Sequence, residues 1–394
     1  MAILGGGPTG LSLANLLGVM GVRTVLIERN ESTVQAPRAV SIDDECLRTM
    51  QAAGAVEAVI EDVALDYGAH YFTPKGVCFA KVEPTGQEFG YPRRSAFNQP
   101  KFEATLRKAL ARFPHVTTLF GANCESFAED AEGVTLRIVE AGGEAREIRV
   151  RYLAGCDGAR SAVRKSMDVT FDGFTYGERF LVLSTRYDFG QFGYALTNYI
   201  ADPQEWCAMF KVPGFDEKGM WRVVFPADAK ADPKDIFEEN LVQRRVQGFH
   251  RIEGDYDIVH RNLYDVHQRV ASRYRDGRLL VAGDAAHINN PLGGMGMNFG
   301  LHDAFNLADK LERVLGGASE DLFDLYDRQR RTVAQEYLQR QTIENKRNIE
   351  QKDSAAQEAF YNELRAINAD KDKLRPYLMR VAMIEGIRRA NSIT

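Results

Sequence analysis

Three glycines, Gly5, Gly7 and Gly10, stand in the spacing G-x-G-x-x-G within "GGGPTG", and the acidic Glu28 follows 18 residues after the last of them. Each residue type has a purpose in that pattern. The first glycine allows a tight turn, the second lets backbone approach a pyrophosphate, and the third lets a helix pack closely on a strand. A helix opening at Pro8 and Thr9 turns its free N–H groups and positive end toward phosphate. A carboxylate ending the next strand accepts hydrogen bonds from ribose hydroxyls, and Glu28, followed by Arg29, holds that place. This chemistry is recognition of an adenine dinucleotide, and the fingerprint serves NAD(P) and FAD equally.

A second glycine-rich stretch, "GDAAHINNPLGGMGMNFG", covers residues 283–300. It is not another copy of the first loop, because Phe299 stands where the last glycine would be. Asp284, His287 and Pro291 are its chemically notable members. A histidine such as His287 is more often a packing or hydrogen-bonding residue than a catalyst, and the ordinary reading of Asp284 as a turn or cap aspartate is the lesser one in this context. Elsewhere, no cluster of His, Cys, Asp and Glu has metal-ligand spacing, so no metal is expected. No G-x-S-x-G nucleophile elbow occurs.

The elements that must position these residues are legible in the apolar pattern. "MAIL" reads as a short strand, "PTGLSLANLLGVMG" as a helix with Leu11, Ala14 and Leu17 on one face, and "RTVLIE" as a second buried strand. This β-α-β unit begins at residue 2, so its first strand looks clipped. "SIDDECLRTMQAAGAVEAVI" and "PKFEATLRKALARF" are helical, and "VTTLFGA", "GVTLRIVEAGG" and "EIRVRYLAGCDG" are strands. Residues 169–266 are rich in aromatics and turns, as in a largely antiparallel sheet. "RLLVA" then returns to α/β texture. It leads into a helix near Met297 with Leu301, Ala304, Phe305, Ala308, Leu311 and Leu315 as its apolar stripe. From Asp321 the chain is charged and helical.

We therefore expect an α/β fold in which a Rossmann-like dinucleotide-binding domain is interleaved with a mainly antiparallel β-sheet substrate domain, followed by a helical C-terminal segment. The cofactor domain would comprise residues 1–66, 97–168 and 267–320, the substrate domain residues 67–96 and 169–266, and the helical segment residues 321–394.

Composition narrows the function class. The 394 residues are 44% hydrophobic and 27% charged, which is ordinary for a globular protein. A net charge of −5 and a pI near 5.9 argue against nucleic acid or an anionic membrane as partner. The five cysteines form no C-x-x-C pair, no export signal precedes the glycine loop, and no uncharged run reaches the roughly 20 residues needed to cross a bilayer. A cytoplasmic protein is expected, and a homodimer is compatible with the sequence.

Two segments give the chain a resemblance. "CDGARSAVR", residues 156–164, resembles the D-G motif of the class A flavoprotein aromatic hydroxylases, with Asp157, Gly158, Ser161 and Arg164 at the expected spacing. "GDAAHINNPLGGMGMN" resembles their G-D motif. The order of glycine loop, D-G and G-D also agrees, over roughly residues 1–330. "PRAVSIDDECLRTMQAAGAVEAV" and "YPRRSAFNQP" are most similar to members acting on 3-(3-hydroxyphenyl)propionate, whose longer forms carry an extra thioredoxin-like domain.

The resemblance implies FAD as cofactor, NADH or NADPH as reductant, O2 as co-substrate and a flavin C4a-hydroperoxide that hydroxylates a phenolic or hydroxypyridine ring. It places Gly5, Gly7, Pro8, Thr9, Gly10, Glu28, Arg29, Arg38, Gln99 and Asp157 on the cofactor. Arg38 would contact the phosphates and Gln99 the ribityl region. Asp284 would accept from ribityl hydroxyls, while Pro291, Gly294, Gly296, Met297 and Asn298 would lie at the flavin ring. Pro291, His287 and Arg164 are the expected catalytic positions, Arg164 through contact with the pyridine nucleotide. Tyr194, Trp206 and Trp221 are the expected ring contacts, and Arg186 or Arg222 would pair with a substrate carboxylate. The competing readings are an FAD reductase or halogenase on the same fold and a non-enzymatic flavin-binding interaction protein.

Overall fold

The run "AIL" forms the strand Ala2–Leu4 at the heart of a six-stranded sheet. Thr24–Glu28 lies on one side of it and Leu153–Gly155 on the other, both parallel to it. Val116–Phe120 extends the sheet at one end, and Leu279–Val281 with the antiparallel Arg275–Asp276 at the other. Ile3, Leu26, Ile27, Leu153 and Leu280 are fully buried, as parallel strands covered on both faces require. Helix Pro8–Val19 packs against helices Gln99–Ala109 and Gly296–Leu315. The computed structural model describes residues 1–33, 38–65, 67–83, 86–213 and 219–394.

A second, eight-stranded sheet is mainly antiparallel. Its centre is the long strand Phe171–Thr185, paired with Ile258–Ala271 and Met220–Asp228. Because successive side chains on a strand alternate faces, Phe180 and Val182 enter one apolar cluster while Leu181 and Leu183 enter another. The continuous apolar run "FLVL" is thus explained by burial on both faces. Helix Glu239–Phe249 supplies Val242 and Val246 to one cluster, and helix Ser354–Ala369 supplies Tyr361 and Leu364 to the other.

The two sheets are joined where the sequence is poorest in side chains. Leu279–Val281 ends the parallel sheet, the turn Gly283–Ala285 follows, and His287–Ile288 pairs with Ile258–Ala271 of the second sheet. Helix Gly296–Leu315 then returns to the first core. It buries Leu301, Ala304, Leu307, Ala308 and Leu311, but Phe305 is 47% exposed and does not belong to that stripe. The buried arc instead includes Asp303, which lies one helical step to the side. After Asp321–Val333 come Arg340–Ile349, Ser354–Ala369, Lys371–Val381 and Ile384–Asn391. Among the described residues, no helix is long and apolar enough to cross a membrane.

Candidate cofactor and substrate site

The N-terminal glycines differ in what requires them. Gly5 has φ +108°, and a Cβ there would collide with the Cys156 carbonyl. A Cβ on Gly10 would strike the Gly5 carbonyl. Both are needed by the protein's own packing. Gly7 is not, since a Cβ there would have no protein atom within 4 Å. It is also the N-cap of a helix with no side-chain cap, so N–H groups of the first turn remain available to an anion. The residues present therefore fit a pyrophosphate at Gly7. Glu28 stands beside them: one carboxylate oxygen accepts from Gly6 N at 2.6 Å, the other from Asn30 N at 2.8 Å. Arg29 is exposed to solvent.

The two motifs far apart in sequence meet at Thr9. A Cβ on Gly283 would lie 2.5 Å from Thr9 Oγ1, and one on Gly300 would lie 2.6 Å from it, so the hydroxyl fills a slot that only glycines leave open. Asp284, on the turn so held, is exposed. Protein nevertheless crowds it, and this desolvation raises its carboxyl above the ordinary value, with His287 and Arg38 acting in the opposite sense. An exposed acid in a confined cleft suits a cofactor hydroxyl.

Several expected ligands also brace the protein. Gln99 is buried, its carbonyl oxygen accepts from Arg38 N and Ala39 N at 2.8 Å each, and its amide donates to Glu103. It therefore holds the segment that presents the exposed Arg38. One oxygen of Asp157 caps helix Ala162–Ser166, accepting from Ala162 N at 2.6 Å. Asn298 accepts from Asp43 N and donates to the carbonyls of Ser41 and Gly294. A Cβ on Gly294 would meet Ser41 Oγ, and one on Gly296 would meet Asn289, so protein neighbours account for both glycines. Met297 is half-buried, and Pro291 O accepts from Gly294 N at 2.9 Å.

Two expected catalytic residues are buried in protein networks. His287 is 1% exposed, with Nε2 2.7 Å from Asp303 Oδ2. Asp303 also accepts from Gly283 N and from Arg330 Nε at 2.6 Å. Burial opposes its charge, yet Arg330 and His287 prevail and hold its carboxyl below the ordinary range. His287 thus belongs to a sealed network under the Gly283–Ala285 turn. Arg164 is likewise folded inward: it donates to Ala285 O and Ala159 O and stacks 3.8 Å from the Phe171 ring centroid. That ties the D-G helix to the G-D turn and leaves the guanidinium facing away from solvent.

A cavity opens beside Leu292, Gly293 and Gly294, walled by Tyr71, Tyr199, Phe360, Leu364, Tyr377 and Arg94. Tyr71 and Tyr199 stack with centroids 5.2 Å apart, and Tyr71 is hydrogen-bonded to Tyr377. Burial raises the pKa of each tyrosine, that of Tyr199 to about 12, so all are neutral at physiological pH. Sequence reasoning missed Tyr71, Arg94 and Tyr377. The only hint was the adjacent arginines of "YPRRSAFNQP", since the walls converge from strands and helices remote in the chain.

The aromatic residues expected to contact substrate lie elsewhere. Trp221 is 1% exposed in the cluster under helix Glu239–Phe249, donating to Asp188 at 3.1 Å, and Tyr194 packs on Phe72 in the same cluster. Trp206 is buried edge-on against Phe180. Arg186 is exposed, 3.9 Å from Asp257. Arg222, on the strand face opposite Trp221, donates to Arg38 O at 3.3 Å. None of the five lines the cavity.

One cluster of ligand-type residues escaped the spacing argument: Asp43, Cys46 and His302 bring one donor atom each within 4.8 Å of one another. Asp43 there already caps helix Asp44–Ala52 by accepting from Cys46 N at 2.7 Å.

A family model described as an FAD binding domain matches residues 1–341. The 3-(3-hydroxy-phenyl)propionate/3-hydroxycinnamic acid hydroxylase of Mycolicibacterium smegmatis is 36% identical over 344 residues, which is 87% of this chain and 60% of that protein. Its namesake in Shigella sonnei is 35% identical over 85% of this chain and 59% of that protein. The chain thus spans about 60% of the length of these curated relatives. Among solved structures, p-nitrophenol 4-monooxygenase PnpA from Pseudomonas putida superposes with a TM-score of 0.91 at 28% identity, covering 99% of this chain and 97% of that one. OxyS anhydrotetracycline hydroxylase from Streptomyces rimosus gives 0.77 at 25%, covering 98% and 76%. With the family match running through both sheets and the turn that joins them, the chain belongs to the FAD-binding-domain family of flavoproteins.

Proposed function

We propose that the chain is an FAD-dependent monooxygenase that hydroxylates a small phenolic or hydroxypyridine ring with NADH or NADPH and O2. The observation that carries this reading is the adjacency of a tyrosine- and phenylalanine-walled cavity to the Leu292–Gly294 segment, directly downstream of the turn that bears Asp284. The resemblance to relatives named as hydroxylases of phenolic acids supports it. The division of the chain into alternating cofactor and substrate segments is part of the same proposal.

When bound, FAD supplies the two-electron chemistry by which NADH or NADPH reduces O2, one atom entering the ring and the other leaving as water. The chain's own residues do the rest. Gly7 and the first turn of helix Pro8–Val19 receive the pyrophosphate, with Glu28 on the ribose and Arg38 near the phosphates. Asp284 accepts from the ribityl chain, and the backbone from Gly294 to Asn298, with the end of helix Gly296–Leu315, meets the flavin ring. Pro291 and Gly293 border the reacting face. Tyr71, Tyr199, Phe360 and Tyr377 stack on the substrate, and helices Ser354–Ala369 and Lys371–Val381 close the cavity against water. An FAD reductase or a flavin-binding interaction protein would not need that aromatic enclosure.

The test is NAD(P)H oxidation and oxygen consumption by the purified yellow protein, with and without phenolic acids, nitrophenols and hydroxypyridines. Substrate-stimulated oxidation with a product heavier by one oxygen is expected. Absence of stimulation across the panel sinks the reading.

A further inference from the structure

We propose that Arg94 is the seat of an anionic oxygen of the substrate, so that the cavity selects ionised ring compounds over neutral isosteres. This deepens the hydroxylase reading and rests on it for the identity of the cavity. Arg94 opens the strand Arg94–Phe97 and lines the cavity wall. Its Nη2 donates to Gly293 O at 2.6 Å and stands 3.4 Å from Ser41 Oγ, and the side chain is also hydrogen-bonded to Tyr67. Its Nε is buried with no partner.

What the guanidinium lacks is a counter-charge. Among the described residues, no carboxylate lies within ion-pair distance of it, in contrast to two other buried arginines. Arg93, next in sequence, pairs with Glu88, and Arg330 pairs with Asp303. Asp43, opposite Arg94 in the strand ladder, turns its carboxylate to Cys46 N instead. Of the cavity's other acids, Glu344 is 3.9 Å from Arg347, and Glu363 is exposed. Tyr71 and Tyr199, whose hydroxyls burial keeps neutral, offer Arg94 dipoles rather than charge.

An arginine remains protonated in a protein, and a charge withdrawn from water is stabilised by an opposite charge with fitting hydrogen bonds. The planar fork matches an oxyanion, either a phenolate or a carboxylate. Both present the same chemistry to Arg94, and the position beside Gly293 puts that oxygen at the end of the cavity nearest the proposed flavin site.

The experiment measures binding to the FAD-loaded protein without turnover, using 4-nitrophenol, 3-(3-hydroxyphenyl)propionate and the methyl ester of the latter. Wild type, Arg94→Met and Arg94→Lys are compared, with FAD content and melting temperature recorded for each. Arg94→Met is expected to weaken the anionic probe by about 10- to 100-fold, the scale of one hydrogen bond to a charged group, with partial recovery in Arg94→Lys. If the anion is phenolate, the visible band of bound 4-nitrophenol moves toward its neutral form in Arg94→Met. If it is carboxylate, wild type prefers the acid to the ester and Arg94→Met does not. Equal affinities of wild type and Arg94→Met for all probes overturn the proposal, as does failure of wild type to bind any anionic probe. Loss of FAD in step with loss of probe overturns it too, because Arg94 would then be a brace of the cofactor loop through Gly293. Failure of the hydroxylase reading is separate: the probes would bind in an Arg94-dependent way, yet no oxygen would be incorporated.

Discussion

Thr9 Oγ1 occupies the space that a Cβ on Gly283 would need, at 2.5 Å, and so fastens the start of the first helix to the turn that carries Asp284. The first helix and the turn that carries Asp284, both assigned to the cofactor in the proposed function, are therefore fixed relative to each other by one hydroxyl and one missing side chain.

The glycines of the first loop should separate by phenotype. Gly7→Val should give a folded, colourless protein with nearly unchanged melting behaviour, because nothing of the chain opposes the new side chain. Gly5→Val should fail to fold well, since it meets the Cys156 carbonyl at φ +108°. Flavin absorbance and thermal melts of the two variants read the difference, and full FAD occupancy in Gly7→Val removes the pyrophosphate assignment.

Asp284→Ala is expected to weaken FAD by about 10- to 100-fold, the scale of hydrogen bonds to a charged group. Fluorescence titration of the apoprotein measures it. An unchanged dissociation constant would place the carboxylate off the cofactor.

Asp44 makes stability depend on pH. Burial, then the charges of Asp43 and Glu45, push its carboxyl from 3.8 to about 8. The folded state therefore favours the protonated acid. Its contribution is fully present below pH 3.8 and is lost as pH rises toward about 8. Asp44→Asn, which mimics the neutral acid, should flatten the loss of melting temperature between pH 5 and about 8. A parallel pH profile in the variant would contradict this.

The sealed network under the turn predicts an asymmetry. Arg330→Met leaves Asp303 buried without its cation and should cost about 3–5 kcal/mol in urea unfolding. His287→Gln keeps a donor toward Asp303 and should leave the pH–rate profile of substrate-stimulated NAD(P)H oxidation unchanged in shape. Loss of one limb of that profile would return His287 to the chemistry.

Trp221→Phe should lower stability by roughly 1–3 kcal/mol, because it shrinks a filled core site and removes one of the donors to Asp188, which keeps Gly190 N–H and Lys211, while the KM for the aromatic substrate stays put. Tyr71→Phe should do the reverse, moving KM with little change in melting temperature. Steady-state kinetics beside thermal melts distinguish the two.

The parts of the candidate site legible in the sequence are those whose constraints are local. Gly5, Gly10 and Glu28 serve a turn, a helix contact and a strand end within thirty residues, so their spacing is written in the chain. The fold followed for the same reason, from apolar runs such as "TVLI" and "FLVL". For Arg164 and His287 a motif position gives where each residue sits but not which way its polar atoms turn, and both turn theirs into protein networks. Trp206 and Trp221 lie outside the cavity at Leu292–Gly294, each packed into one of the two apolar clusters that flank the second sheet. Arg94 and Tyr377 were hidden because their meeting depends on a sheet and a helix nearly three hundred residues apart.

The cavity has one more consequence. Phe360, Leu364, Ile367 and Tyr377 belong to its wall, yet all lie beyond residue 341, where the family match ends. On the proposed function, the residues that would hold the cofactor and much of the wall that would meet the ring thus lie in separate stretches of the chain. If the proposal holds, such a layout would let selection retune substrate choice by editing the tail while the cofactor-binding part stays untouched, and helices Ser354–Ala369 and Lys371–Val381 would be the place to graft when a new ring is wanted.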